Sequence, residues 1–114
     1  MQLPAGMIRG QYSIYTAKYD KTTKRNKVFT LHGYLYHYNG FTYGMSRVKD
    51  VWVVTETSTG LATGMYTHQL KEIPAKFEEW DKAGKLAIIE KKVKYPDYRV
   101  KEAKLAIELA TLRG

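Results

Sequence analysis

Residues 51–64, VWVVTETSTGLATG, decide how the rest of the chain is read. Val51 to Thr55 have strong β character. Side chains alternate along a strand, so Trp52 and Val54 point one way and Val51, Val53 and Thr55 the other. A strand apolar on both faces is normally covered on both, which predicts a central strand. The polar corner Thr57-Ser58-Thr59-Gly60 ends it, and Leu61-Ala62 starts a short return toward Gly64.

Working outward, the upstream sequence keeps a strand pattern. In residues 7–19, Ile8, Tyr12 and Ile14 share one face while Arg9, Gln11, Ser13 and Tyr15 share the other. Residues 20–27 (DKTTKRNK) hold no apolar side chain and read as a loop. A strand resumes over 28–38, with Gly33 as a candidate bulge. Its alternation sets His32, Tyr34, Tyr36 and Tyr38 on one face against Leu31, Gly33, Leu35 and His37 on the other. Leu31 and Leu35 are then the natural core residues, and the tyrosine row faces outward or lies under a helix margin. Asn39-Gly40 favours a tight hairpin, 41–45 forms the returning strand, and 46–50 (SRVKD) turns into the central strand.

Downstream, Thr67 is a candidate N-cap, and Pro74 suits a first turn, which sets the helix start near Ile73. Ile73, Phe77, Trp80, Gly84, Ala87 and Ile88 fall within about 100° of one another at helical periodicity. Lys91 lands in the middle of that stripe, so the helix is expected to end near Glu90. The alternative ends it at Gly84 and makes residues 86–93 another strand. Asp97 caps a last helix, 98–112, with Val100, Ala103, Ile107 and Ala110 on one side and Leu105, Leu109 and Leu112 on another. A helix apolar over so much of its girth needs two neighbours, within the monomer or outside it. The expected fold is therefore α+β: an antiparallel meander sheet of four to five strands (residues 1–66), then two helices (residues 67–114) packed on one face. All of it forms a single domain over 1–114.

Composition bounds the function. The chain has 114 residues, 44% of them hydrophobic, and ten of its fifteen aromatic residues are tyrosine. That favours side chains that are apolar in body and hydrogen-bonding at the tip. Net charge is +8: residues 1–66 hold eight Lys/Arg against three Asp/Glu, and 67–114 hold eleven against eight. Such a surplus favours a polyanionic partner or an acidic protein face. The absence of cysteine excludes disulfides, thiolate zinc sites and a cysteine nucleophile. Residues 1–10 lack a signal-peptide core and nowhere do 18 apolar residues run together, so a cytoplasmic protein with no membrane partner is expected.

The strongest candidate site is the basic loop: Lys18, Lys21, Lys24, Arg25 and Lys27, offset only by Asp20. Cations on a hairpin tip can neutralise phosphates, although such a run also reads as a solvated loop. Tyr34, Tyr36 and Tyr38 offer stacking surfaces, and Arg47 and Lys49 extend the patch if both turns lie at one end of the sheet. His32 and His37 lie on opposite faces of one strand and cannot converge on a metal; no cofactor is expected. Asp50 and Glu56 are the strand-end carboxylates of the first half, with nothing to mark an acid–base pair. Gly60-x-x-x-Gly64 lacks the Lys-Ser/Thr of a phosphate loop, so both glycines read as turn residues.

Over residues 52–64, WVVTETSTGLATG resembles small domains carried by phages and other mobile elements, in particular those fused into large polyvalent proteins. There a Trp-Val-Thr-Glu strand and a Thr-Gly-Leu-Ala turn precede a helix. The helix start here, Thr67-His68-Gln69-Leu70-Lys71-Glu72, departs from the Thr-Lys-Lys-Glu-Ala-like start of those domains. Lys101-Glu102-Ala103-Lys104 is similar to the last-helix start of double-stranded-RNA-binding domains, which begin with a helix where this chain begins with a strand. The sheet-plus-helix layout also looks like the arm-binding domains of phage integrases. The resemblance implies a mobile-element origin. With the charge, it leads to the expectation of a non-enzymatic binder of nucleic acid or a nucleoprotein complex, such as an anti-CRISPR-like inhibitor of host defence. The other expectation is a protein–protein adaptor or homodimer using Val100, Leu105, Leu109 and Leu112.

Overall fold

A computed structural model describes residues 3–16 and 27–113 of the chain. Five strands, β1 (Met7–Thr16), β2 (Lys27–Tyr38), β3 (Phe41–Val48), β4 (Val51–Glu56) and β5 (Leu61–Thr67), form one antiparallel sheet in sequence order. A 3-10 turn (Leu70–Glu72) leads into α1 (Ile73–Lys82), α2 (Lys85–Lys94) and α3 (Tyr98–Arg113). The α+β class and the meander are as expected. Asn39 and Gly40 take φ values of 51° and 81° in the β2–β3 turn, the pair of positive angles such a hairpin requires.

The helical half differs from expectation in number and in placement. Gly84 adopts a left-handed conformation (φ 77°), which ends α1, and residues 85–94 start again as a second helix rather than a strand. The break also redirects the apolar face. Ile73 and Phe77 of α1 are buried, but in α2 the buried residues are Leu86 and Ile89, while Ile88 is exposed. Nor do the helices share one face. α1 and α2 close over the main core, whereas α3 packs chiefly on β1 and β2. Asp97 caps α3 as expected, its carboxylate accepting from the Val100 N–H at 2.9 Å. Thr67 caps no helix; it ends β5, and its hydroxyl donates to the Gln69 carbonyl.

The main core lies beneath α1 and α2 and contains Tyr43, Met45, Val54, Met65, Leu70, Ile73, Phe77 and Leu86. Tyr34, Tyr36 and Tyr38 belong to this face and pack against it. The tyrosine row is therefore the core-facing row of β2, and Leu31 and Leu35 lie on the opposite face, half-buried. Register decides the matter: Tyr36 pairs with Tyr43 and Tyr34 with Met45, both of them fully buried. A tyrosine can take a core position where its ring packs and its hydroxyl reaches the rim. Tyr38 does so, donating to the Asp81 carboxylate at 2.9 Å.

Gly33 is a site of close approach, and no bulge interrupts the β1–β2 ladder there. A Cβ at Gly33 would lie 2.0 Å from the Met45 carbonyl oxygen. Beyond this point β2 leaves β3, since their pairing covers only Tyr34–Tyr38, while the β1–β2 ladder runs on to Thr16 and Lys27. The outer half of the hairpin folds across the second face of the sheet. There the Tyr12 ring covers Gly44 and its hydroxyl bonds the Ser46 hydroxyl. Farther out, Ile14 and Tyr15 approach Gly60 in the β4–β5 turn. The bulge of this sheet lies instead between β4 and β5, at Val53–Thr55. β4 is an interior strand as expected, but only its second half, Val54–Glu56, is fully buried. Val51 and Val53 line an open apolar depression of about 330 Å³ with Ala62 and Tyr66.

Candidate nucleic-acid interface

Lys18, Lys21, Lys24 and Arg25 lie outside the described residues; Lys27 opens β2 as the backbone partner of Thr16. Ile14 and Tyr15, near the end of the β1–β2 ladder, pass Gly60, at the end of β4 where Glu56 sits. Arg47 and Lys49 are at its other end, around the β3–β4 turn. The length of β4 separates the two regions, about 17 Å for five strand residues. The structure therefore does not join Arg47 and Lys49 to the described end of the β1–β2 ladder at Thr16 and Lys27.

It joins them to other residues. β3 and β4 are connected by the two-residue turn Lys49-Asp50, which sets Arg47 opposite Trp52. The Trp52 ring meets Tyr34 edge-on, with centroids 5.6 Å apart and planes at 67°. Tyr34 pairs in turn with Arg9 of β1, whose guanidinium carbon lies 6.0 Å from the Tyr34 ring centre. The result is a band across four strands, in the order Arg9, Tyr34, Arg47 and Trp52, in which two exposed arginines alternate with two half-buried aromatic rings. Lys49, held at φ 56°, projects from the turn beside it, and its carbonyl accepts from the Arg47 Nε at 3.3 Å. Guanidinium groups engage phosphate bidentately, and aromatic rims give bases a surface to rest on.

The band leads to a wider cleft. Trp52 pairs with Thr67, and Thr67 also lines an open cleft of about 750 Å³ between β5 and α1. Tyr66, His68, Lys71, Trp80 and Lys85 line the same cleft, with the Lys85 ammonium 5.3 Å from the Trp80 ring centre. Tyr36 and Tyr38 do not contribute to the band. Their rings pack on Phe77, with centroids 5.3 and 5.2 Å away, and burial followed by the Asp81 carboxylate pushes Tyr38 up to about 12.

Tyr34, Arg47 and Lys49 are singled out by the sequence, whereas Arg9, Trp52 and the cleft join the candidate site only through the structure. The two-residue turn was the available signal for Trp52, because it fixes Arg47 opposite it. Arg9 needed the β1–β2 register, which the ten residues between Thr16 and Lys27 leave undetermined.

Two other candidate chemistries resolve into structure. Asp50 and Glu56 stand at opposite ends of β4. The Glu56 carboxylate is buried and accepts from the Ser58 N–H (3.0 Å), the Thr59 N–H (2.9 Å) and both hydroxyls, closing the polar corner on itself. Among the described residues no group of three His, Asp or Glu could hold a metal, and no helix is long and apolar enough to cross a membrane.

No family model, curated protein or solved structure matches this chain. Its chemistry is read from its own side chains.

Proposed function

We propose that this protein is a non-enzymatic binding module that contacts nucleic acid, alone or within a nucleoprotein complex. The band Arg9, Tyr34, Arg47 and Trp52 carries the reading, because it interleaves phosphate-binding groups with half-buried aromatic rings. The net charge of +8 supports it, as does the concentration of cations in residues 18–27. The likeness of residues 52–64 to phage-borne domains supports a host nucleoprotein as the partner, with inhibition of host defence as the consequence.

The test is fluorescence anisotropy of a labelled single-stranded oligonucleotide, titrated at several salt concentrations. Binding is expected to weaken steeply with salt. Arg9→Ala/Arg47→Ala should lower the magnitude of the log–log salt slope by about 1.4, since each lost phosphate contact removes about 0.7. Arg9→Lys/Arg47→Lys should keep the slope while weakening affinity, because the charge remains and the bidentate geometry does not. A flat salt response, or a double alanine variant that binds like the parent, overturns the proposal.

A further inference from the structure

α3 presents two apolar sides, and the fold uses only one. Val100 and Ile107 are buried, with Ile107 reaching Gly60, and Tyr15 donates to the Glu102 carboxylate at 2.9 Å. Val100 therefore belongs to the intramolecular contact and is not part of a free interface. On the opposite side Tyr98, Leu105, Leu109 and Leu112 are exposed at 80%, 56%, 45% and 83%. Their spacing, with Tyr98, Leu105 and Leu112 seven apart and Leu109 four beyond Leu105, places them in one stripe.

We infer that this stripe is the contact between two copies of the chain, with their α3 helices antiparallel across a two-fold axis at Leu105. The stripe is complementary to itself in that register. Each Leu105 meets its counterpart, Tyr98 meets Leu112 of the second copy, and Leu109 covers the aliphatic stem of Lys101 of the second copy. Charge fits the same register. Lys101 and Glu108 are exposed on one flank of the stripe, seven residues apart, and the ion pair found among the described residues, Lys76–Glu79, involves neither. Antiparallel pairing brings Lys101 of each copy beside Glu108 of the other, and sets each helix N-terminus by a C-terminus. A parallel pair would stack lysine on lysine. An isologous contact of this kind closes on itself as a dimer, and it doubles the arginine–aromatic band without covering it.

Light scattering after size separation should give twice the chain mass for the parent and the single-chain mass for Leu109→Asp, whose circular dichroism should remain native. The cysteine-free chain allows a sharper test of register. Leu105→Cys should oxidise to a disulfide-linked dimer, whereas Leu109→Cys, facing Lys101, should not. Lys101→Glu should raise the dimer dissociation constant about tenfold, the scale of two exposed ion pairs lost, and Lys101→Glu/Glu108→Lys should restore it. A parent that stays monomeric throughout its soluble range overturns the inference. So does disulfide formation by Leu109→Cys as readily as by Leu105→Cys.

Discussion

Tyr43→Phe removes one oxygen atom from the centre of the core. The side chain is fully enclosed, and among the described residues its hydroxyl is the buried polar atom with no hydrogen-bond partner. Burial, and after it the charges of Glu90 and Glu56, push its pKa up, so the folded state holds the neutral phenol. A buried hydroxyl without a partner costs about 1–3 kcal/mol. Removing it leaves a void the size of one oxygen and forfeits a few dispersion contacts, a smaller term of about 0.1–0.2 kcal/mol each. The ring contact with Phe77, centroids 4.7 Å apart, is untouched. Tyr43→Phe should therefore gain about 1 kcal/mol and raise Tm by about 4 °C. Tyr12→Phe is the control of opposite sign: its hydroxyl bonds the Ser46 hydroxyl, and its loss should cost about 1–2 kcal/mol. Urea unfolding at pH 7, followed by circular dichroism, reads both. If Tyr43→Phe is destabilised as much as Tyr12→Phe, the Tyr43 hydroxyl is bonded and the reasoning fails.

Other outcomes follow from the same contacts. Glu56→Ala should cost about 3 kcal/mol, because it strips the Ser58 and Thr59 donors of their buried acceptor; a thermal melt within 2 °C of the parent would contradict that. Gly33→Ala should cost about 3 kcal/mol or more, since its Cβ would strike the Met45 carbonyl, part of the backbone. Gly10→Ala, whose Cβ would meet the side chain of Leu35 rather than backbone, should cost less, and equal losses in denaturant would refute the distinction. Tyr12, Tyr36, Tyr38 and Tyr43 are all raised above 10, so each keeps its proton in the folded state after the unfolded chain has released it. Their contribution is complete below pH 10 and falls as pH rises, by about 1.4 kcal/mol per unit for a fully buried group such as Tyr43. Urea midpoints that stay level from pH 9 to 11 would argue against it.

Local chemistry made most of the element order legible. Asn39-Gly40 fixed a hairpin because few other pairs accept two positive φ angles, and Asp97 fixed the start of α3 through its own side chain. The alternation of β1 and β2 correctly sorted their residues into two faces, and the split girth of α3 separated its buried side from its exposed leucines. Which face of β2 is the core was not legible. Leucine and tyrosine rows are both apolar enough, and only pairing with Tyr43 and Met45 beneath Phe77 selects the tyrosines. The fold of the β1–β2 hairpin across the sheet likewise depends on contacts between residues far apart in sequence: Gly33 against Met45, Tyr12 against Gly44, and Ile14 against Gly60. Sequence specifies what each residue can tolerate over a few neighbours. The tertiary structure decided which distant partners meet, and so it set Arg47 in one band with Trp52, Tyr34 and Arg9.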